Sequence, residues 1–474
     1  MSRAIAIRGL WAIILAGCVF SLSSCGTGGR QSPARSRLEV PLSWQQAEPD
    51  PRPLESKSLS TWWTRFNDPV LEELIANAVR FSPDVHSALS RIAEYRARRG
   101  SERSALFPSV DAQVSGGRSR DTNRANNVTT AYDAYSASLD ASWQVDLFGR
   151  QRLMLAAASA DLARIEEDYH GSLVSLAADV ALAYVDLRSA EAQLSVVQRS
   201  LGTRRETAEL TEWREQAGTG DALDTQRSLA AFELARAAIP ALQLTITQTQ
   251  NQLAWLSGAI PGSLDRLLAT PGDVPRGPPD LALGIPAEML RQRPDMQAAE
   301  RGLQAAFART SAARRARLPA LNLGGSIGVE ALTAGRLFNP ASHLLSIFGS
   351  ITAPIFNAGR INQTITIQRE LEQQSLNTYD AIVLVALVEV ENALVAVQRN
   401  GERLGFLSLA TTAAKEAATL AALQFQSGQV DLLVSLDAQR SLLELEQQVV
   451  TTTANRAIAY VQLYQALGGG WTAH

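Results

Sequence analysis

The chain of 474 residues holds two cysteines, Cys18 and Cys25, both inside its first 25 positions. Intramolecular disulfides are thereby excluded from the mature fold. Histidine is scarce as well: His86, His170, His343 and His474 are scattered, and no pair has metal-ligand spacing. Met1, Met154, Met289 and Met296 form no cluster. Charged residues make up 19%, the net charge is −3 and the pI about 6.0, which leaves no basic stripe of the kind nucleic acid requires. After position 25 no run of about 18 uncharged apolar residues occurs, so no membrane-spanning helix is expected. The runs Gly26-Thr27-Gly28-Gly29 and Leu467-Gly468-Gly469-Gly470 sit in neither phosphate-loop frame. No catalytic constellation, metal site or cofactor site is predicted, and an enzyme is not expected.

What is present begins with a targeting signal. Arg3 and Arg8 supply a positive start, and Gly9 to Leu22 an apolar stretch. Leu15-Ala16-Gly17-Cys18 and Leu22-Ser23-Ser24-Cys25 both resemble the bacterial lipobox, whose cysteine is acylated and becomes the new N-terminus. Cys25 is the favoured site, because polar, flexible residues follow it, with Cys18 as the alternative. Several acyl chains on one cysteine meet the requirement for stable anchoring. Residues 1–24 are thus read as a lipoprotein signal peptide and 25–68 as a tether, proline-rich between Gln31 and Ser60.

The most informative stretch is Ser136 to Leu147. Ala137, Leu139, Ala141, Trp143, Val145 and Leu147 alternate with Ser136, Ser138, Asp140, Ser142, Gln144 and Asp146. Such alternation marks a strand with one apolar and one polar face. Its length suits a tilted membrane-crossing strand of about 9–11 residues. After Gly149-Arg150 the next ~65 residues read as one helix, with Leu187, Leu194 and Leu201 at coiled-coil spacing. Upstream, one helical stretch runs from Pro69 to about Leu106. A first strand follows with Val110, Ala112 and Val114, and then a polar loop from Gly117 to Thr130. The long helix breaks near Gly218, and a second helix returns from Ala222 to Trp255.

The chain then repeats itself. Pro83-Asp84 recurs at Pro294-Asp295, Pro108 at Pro319, Gly149-Arg150 at Gly359-Arg360, Gly218 at Gly428, and Asp224 to Leu229 at Asp437 to Leu442. These offsets lie between 210 and 213 residues, which indicates an internal duplication. The repeats are 69–257, with a hairpin at 109–147, and 286–467, with a hairpin at 320–355. A connecting segment, 258–285, lies between them and a tail, 468–474, follows. Four two-faced strands cannot close a barrel, since the smallest transmembrane barrels have about eight. An open sheet edge is forbidden in lipid. Strands that enter a membrane must therefore share one barrel among several chains, and helices of roughly 100 Å extend it as a hollow tube.

Motifs spread over the mature chain make it resemble the TolC-type outer-membrane efflux proteins, in the lipoprotein branch that works with resistance–nodulation–division pumps. They are Trp62-Trp63 with Phe66, Asp68 and Pro69; Leu106 to Ser109; Trp143 to Arg150; Leu290 to Glu300; Pro354 to Arg360; Glu389 to Leu394; Ser427 to Leu443; and Leu463 to Trp471. Two positions depart from the pattern: Gly26-Thr27-Gly28-Gly29 follows the lipid cysteine, and Ser82 stands where asparagine is common. The resemblance implies a homotrimer, an α+β membrane protein with a 12-stranded β-barrel continued by a long α-helical barrel. It implies a passive outer-membrane channel of a tripartite efflux system, exporting small molecules with a periplasmic adaptor and an inner-membrane pump as partners. The tips at Gly218 and Gly428 then point toward those partners, and the loops Gly117–Thr130 and Ala331–His343 face outside. By the same resemblance Leu433 and Asp437, with Asp431, close the periplasmic mouth. A ring of Asp437 carboxylates repels itself and attracts cations. Asp437 otherwise faces solvent on a helix surface, and Asp224 serves tip packing or partner contact. Trp143 is an interfacial anchor or packs on the barrel exterior. The alternatives are a lipid-anchored periplasmic coiled-coil scaffold and a type I protein-secretion channel.

Overall fold

The structure is a computed structural model that describes residues 59–123, 128–278 and 290–471, together with positions 38, 41 and 43–45. Cys18 and Cys25 lie outside the described residues. A short 3-10 turn, Trp62–Phe66, precedes helices α1 (Pro69–Phe81) and α2 (Pro83–Ser104). Strands β1 (Ser109–Asn123) and β2 (Val128–Val145) lead into α3 (Arg150–Gln216), which returns as α4 (Ala222–Leu256). After a one-turn helix, α5 (Asp265–Leu268), the second half runs α6 (Pro294–Arg315), β3 (Ala320–Ala331), β4 (His343–Thr352), α7 (Arg360–Gln426) and α8 (Leu432–Ala466).

The two halves match element for element. Both α3 and α7 have 67 residues, and both α4 and α8 have 35. A 67-residue helix is about 100 Å long. The four strands form one antiparallel sheet in the order β1-β2-β3-β4. The helices keep that order: α2 packs on α3, α6 lies between α3 and α7, and in the other half of the molecule α8 lies between the same two. Each strand thus continues a helix of a wall four helices wide. Its margins are β1 with α2 and α4 on one side, and β4 with α7 on the other.

Three expectations are corrected. The single helix predicted from Pro69 to Leu106 is two helices. Ser82 sits in the extended region (ψ 128°) because Pro83 disfavours helical geometry in the residue before it, and Pro83 then opens α2. The loop predicted over Gly117–Thr130 is mostly strand: pairing continues from Gly117↔Ala134 to Asn123↔Val128. Ser-Gly-Gly-Arg-Ser-Arg lacks an apolar face, so the periodicity fades although the ladder does not. Finally, among the described residues α4 is long and apolar enough to cross a membrane, by length and composition only. Gln243, Thr245, Thr247 and Gln250 interrupt its apolar runs without adding charge.

The core lies at the waist, where the first turn, α1 and the chain end meet the middle of α3 and α7. Trp62 is fully buried and stacks on Tyr464 with centroids 5.3 Å apart. Gly469 and Gly470 pass so close that a Cβ on Gly469 would come within 2.9 Å of the Leu59 carbonyl. Alanines 177, 178, 181, 386 and 457 are buried here and let helix backbones approach closely.

Candidate functional site

The sheet has two chemically distinct faces, and its register defines them. Val110↔Ala141↔Gly325↔Ile347 and Ala112↔Leu139↔Ile327↔Leu345 are apolar rows across all four strands. Trp143↔Leu323 and Val145↔Leu321↔Ile351 complete that face. Asp111↔Asp140↔Ser326↔Ser346 and Gln144↔Asn322↔Ser350 lie on the other. The apolar side chains are open to the surroundings: Val114 is 80%, Ile347 86% and Ile351 73% exposed. A contiguous apolar face of this extent marks a surface that something else covers. The Trp143 indole N–H donates to the Leu106 carbonyl at 3.0 Å, so its polar end is held by the chain itself.

Where strand becomes helix, Gly149 (φ 79°) and Gly359 (φ 84°) take the left-handed conformation that lets the chain turn straight into α3 and α7. Arg150 and Arg360 are the first helical residues and are exposed. Asp146, one residue past β2, caps α3: its carboxylate accepts from the amides of Gln151 at 3.2 Å and Arg152 at 3.0 Å, and from Arg152 Nε at 3.2 Å. Burial pushes its pKa up, but the hydrogen bonds from the Arg152 and Gln151 amides outweigh that and hold it below the ordinary carboxylate value. In the second repeat Asn357 Oδ1 accepts from the Ile361 amide at 3.3 Å. Sequence reading named the glycines and arginines here and missed the cap, whose signal was an Asp or Asn just before each helix start.

At the far ends of α3 and α7, Gly218 (φ 73°) and Gly428 (φ 75°) terminate the helices in matching fashion. The Thr219 amide donates to the Arg214 carbonyl, and the Gln429 amide to that of Gln424, each at 2.8 Å. The next step differs. Asp221 caps α4 through Leu223 N–H at 3.1 Å, whereas the Asp431 side chain makes no capping bond to α8. Leu433 is 60% exposed and lies beside Asp431, with Asp437 a turn further on. Asp437 is also exposed, and Arg440 of the same helix donates to it at 2.8 Å. Its repeat counterpart Asp224 faces Arg227 at 3.7 Å. The Asp437 carboxylate therefore has a cation of its own chain beside it, which the expected bare carboxylate ring did not include. Arg214 joins the two tips: its Nη2 donates to the carbonyls of Phe425 at 3.2 Å and Gln426 at 2.8 Å, and its guanidinium lies 4.7 Å from the Phe425 ring centre. No local pattern reveals a contact spanning 211 residues.

The motif residues that chemistry did not claim gather at the waist. Asp68 caps α1 and accepts from Tyr184 Oη at 2.7 Å; that hydroxyl accepts from Arg188 Nε at 3.0 Å. Arg188, 2% exposed, also donates to Glu191 at 2.7 Å and to the Thr270 carbonyl at 3.0 Å. Burial, and then the Asp68 carboxylate, push the Tyr184 phenol well above its ordinary value, so it remains a donor. Arg293 forms the second knot, pairing with Asp295 at 2.7 Å and Glu389 at 2.8 Å and donating to the Ala466 carbonyl at 2.6 Å. Burial works against its charge, and the two carboxylates more than offset it.

A duplicated chain with a two-faced sheet set on 100 Å helices defines a membrane-anchored conduit component. The chain belongs to the family described as outer membrane efflux protein, whose profile matches it twice, over residues 74–259 and 285–469. It is 31% identical over 430 residues to the probable efflux pump outer membrane protein SepC of Pseudomonas putida, covering 89% of this chain and 88% of that one. It is 30% identical over 472 residues to the pyoverdine export outer membrane protein OpmQ of Pseudomonas putida, covering 96% of each. The fold matches the outer-membrane channel OprN with a TM-score of 0.83 at 29% identity, over 91% of this chain and 99% of that one. It matches the open state of the Neisseria gonorrhoeae MtrE channel with a TM-score of 0.78 at 30% identity, over 94% and 98%. The resemblance read from the motifs thus holds: the chain is an outer-membrane efflux protein with the TolC-like channel fold.

Proposed function

We propose that three copies close one 12-stranded barrel in the outer membrane and one helical tunnel through the periplasm. One observation carries this reading: the sheet is open at β1 and β4 and exposes an apolar face, although lipid tolerates no unpaired edge. The helical wall repeats the pattern, since α7 at its margin leaves Phe406 74% and Leu409 73% exposed, and α4 leaves Leu234 73% exposed. A lipid-anchored scaffold accounts for the helices but gives the sheet no role. The polar face lines the pore and the apolar face meets lipid.

The tunnel works passively, with a periplasmic adaptor and an inner-membrane pump docking at the tips near Gly218 and Gly428. The cargo is small molecules; the relatives' names refer to toluene, antibiotics, solvents and pyoverdine. Leu433, Asp437 and Asp431 of three chains form the closed mouth. Given Arg440 beside each Asp437, that mouth is a ring of mixed charge. Cys25 carries the lipid, with Cys18 as the alternative. The primary test is the oligomeric state and conductance of the purified protein: trimers resistant to mild detergent and ion flow across a planar bilayer are expected. A water-soluble monomer without conductance would refute the reading. Labelled palmitate should enter the wild type and the Cys18→Ala variant and be absent from Cys25→Ala.

A further inference from the structure

The extracellular rim of the sheet carries cations on the face that meets lipid. The same alternation that puts Val110, Ala112 and Val114 on the apolar face puts Arg118 and Arg120 there too. The register pairs Arg118 with Asp133 and Arg120 with Ala131. Below them, on the same face, the Tyr135 ring lies over Gly116, 3.2 Å from where a Cβ would stand. From Val145 to Tyr135 the β2 strand climbs about 34 Å, or roughly 25 Å of height at the usual tilt, which is the height of a barrel's apolar band. Tyr135 therefore stands at its upper girdle, and the two arginines lie about 5 and 10 Å above it, among headgroups.

Their charge is poorly compensated. Arg118 approaches Asp133 only to 3.5 Å, with its side chain 78% exposed. An exposed pair of that kind holds its partners weakly. Arg120 has no carboxylate partner among the described residues. Closure of the barrel supplies none either, because the strand laid beside β1 is β4 of the next copy, and from Ala331 to Gly359 the sequence contains no Asp or Glu. That neighbouring stretch brings one more cation instead, the exposed Arg336. The seam is cationic on the side facing lipid.

We propose that Arg118 and Arg120 bind the phosphates of a phosphorylated glycolipid of the outer leaflet, seated on the seam between copies. The proposal rests on the trimeric-barrel reading above. The rim commits to the outer leaflet because the helices leave the opposite end of the strands. Phosphate suits the site, since two arginines on one strand face stand about 7 Å apart along the backbone and each offers a forked donor set.

The test uses the full-length protein in detergent, titrated with lipid A, with the same lipid stripped of its phosphates, and with phosphatidylglycerol. Bound lipid is counted by native mass spectrometry. Lipid A should bind most tightly, and the R118Q/R120Q variant should lose about thirtyfold in affinity, the worth of two interfacial cations. The dephosphorylated lipid should bind the wild type as weakly as lipid A binds that variant, and R118K/R120K should keep most of the affinity. Equal binding of lipid A to the glutamine variant and the wild type would overturn the proposal. So would a wild type that prefers phosphatidylglycerol, or that ignores the phosphates, a comparison that needs no variant to fold. Bilayer conductance of the same preparation separates the two readings. A pore without arginine-dependent binding sinks the rim alone, whereas lipid A binding without a pore sinks the channel.

Discussion

Arg188 at the waist is 2% exposed and donates to three groups of its own chain, whereas Ile347 on the sheet is 86% exposed. The waist joins both repeats and both ends of the described chain through the hydrogen-bonded, buried guanidinium groups of Arg188 and Arg293 and through close alanine packing. The sheet leaves one whole face and two edges without partners. On the proposed trimeric reading, the difference separates what a single copy completes by folding from what a membrane and further copies would complete. Two kinds of stability follow, one set by the chain and one by its surroundings.

Substitutions can break that contrast. Arg188→Ala should have the largest effect, about 3–5 kcal/mol, because it leaves the mostly buried Glu191 charge unpaired and the Tyr184 hydroxyl short of a donor. Denaturant unfolding in detergent reads it, and a loss that depended on lipid thickness would contradict the assignment to the waist. Next comes Ile347→Arg, about 2–4 kcal/mol in a bilayer because it sets a charge against lipid. Ser346→Arg, one residue away on the polar face, should cost far less. Equal costs for the pair would mean that the two faces are misassigned.

Asp146→Ala should cost about 0.5–2 kcal/mol, the usual worth of an N-cap. The native pKa of Asp146 lies below its unfolded value, so its contribution is complete above about pH 4 and disappears as the pH falls through the native value. The wild type should lose that increment in unfolding titrations taken below pH 4, and Asp146→Asn should not. The smallest stability change belongs to Asp437→Ala, within about 0.5 kcal/mol because the residue is exposed. Single-channel conductance or its block by cations should change nonetheless. Arg440→Ala sharpens the point: with the neighbouring cation removed, cation block should strengthen.

Much of this is legible in the sequence alone. The alternation from Ser136 to Leu147 defined a two-faced strand because period two leaves no other regular structure. The 210-residue offsets exposed the duplication. Less legible was anything that depends on distant chain segments. Asp68 and Arg293 stood out as motif residues, but their work is to tie the waist, and that follows only from the meeting of Tyr184, Glu389 and Ala466. The extent of β1 escaped because Gly116 to Arg120 carries only glycine, arginine and serine, so no apolar residue marks either face. Arg440 sat three residues from Asp437 in plain view, yet the pair mattered only once both were seen exposed on one helix face.

One contact near the start of the described chain bears on the proposed lipid anchor. The Gln45 amide donates to Glu391 at 2.7 Å, and Trp44 beside it is buried. Glu391 lies about 47 Å along α7 from the barrel end at Arg360. The twenty residues from Cys25 to Gln45 span at most about 70 Å. With the lipid on Cys25, as proposed, such a leash would reach the inner leaflet with roughly 20 Å of slack. On that proposal, removing ten of its residues would leave it too short, forcing the protein either to release its waist or to give up its acyl foothold.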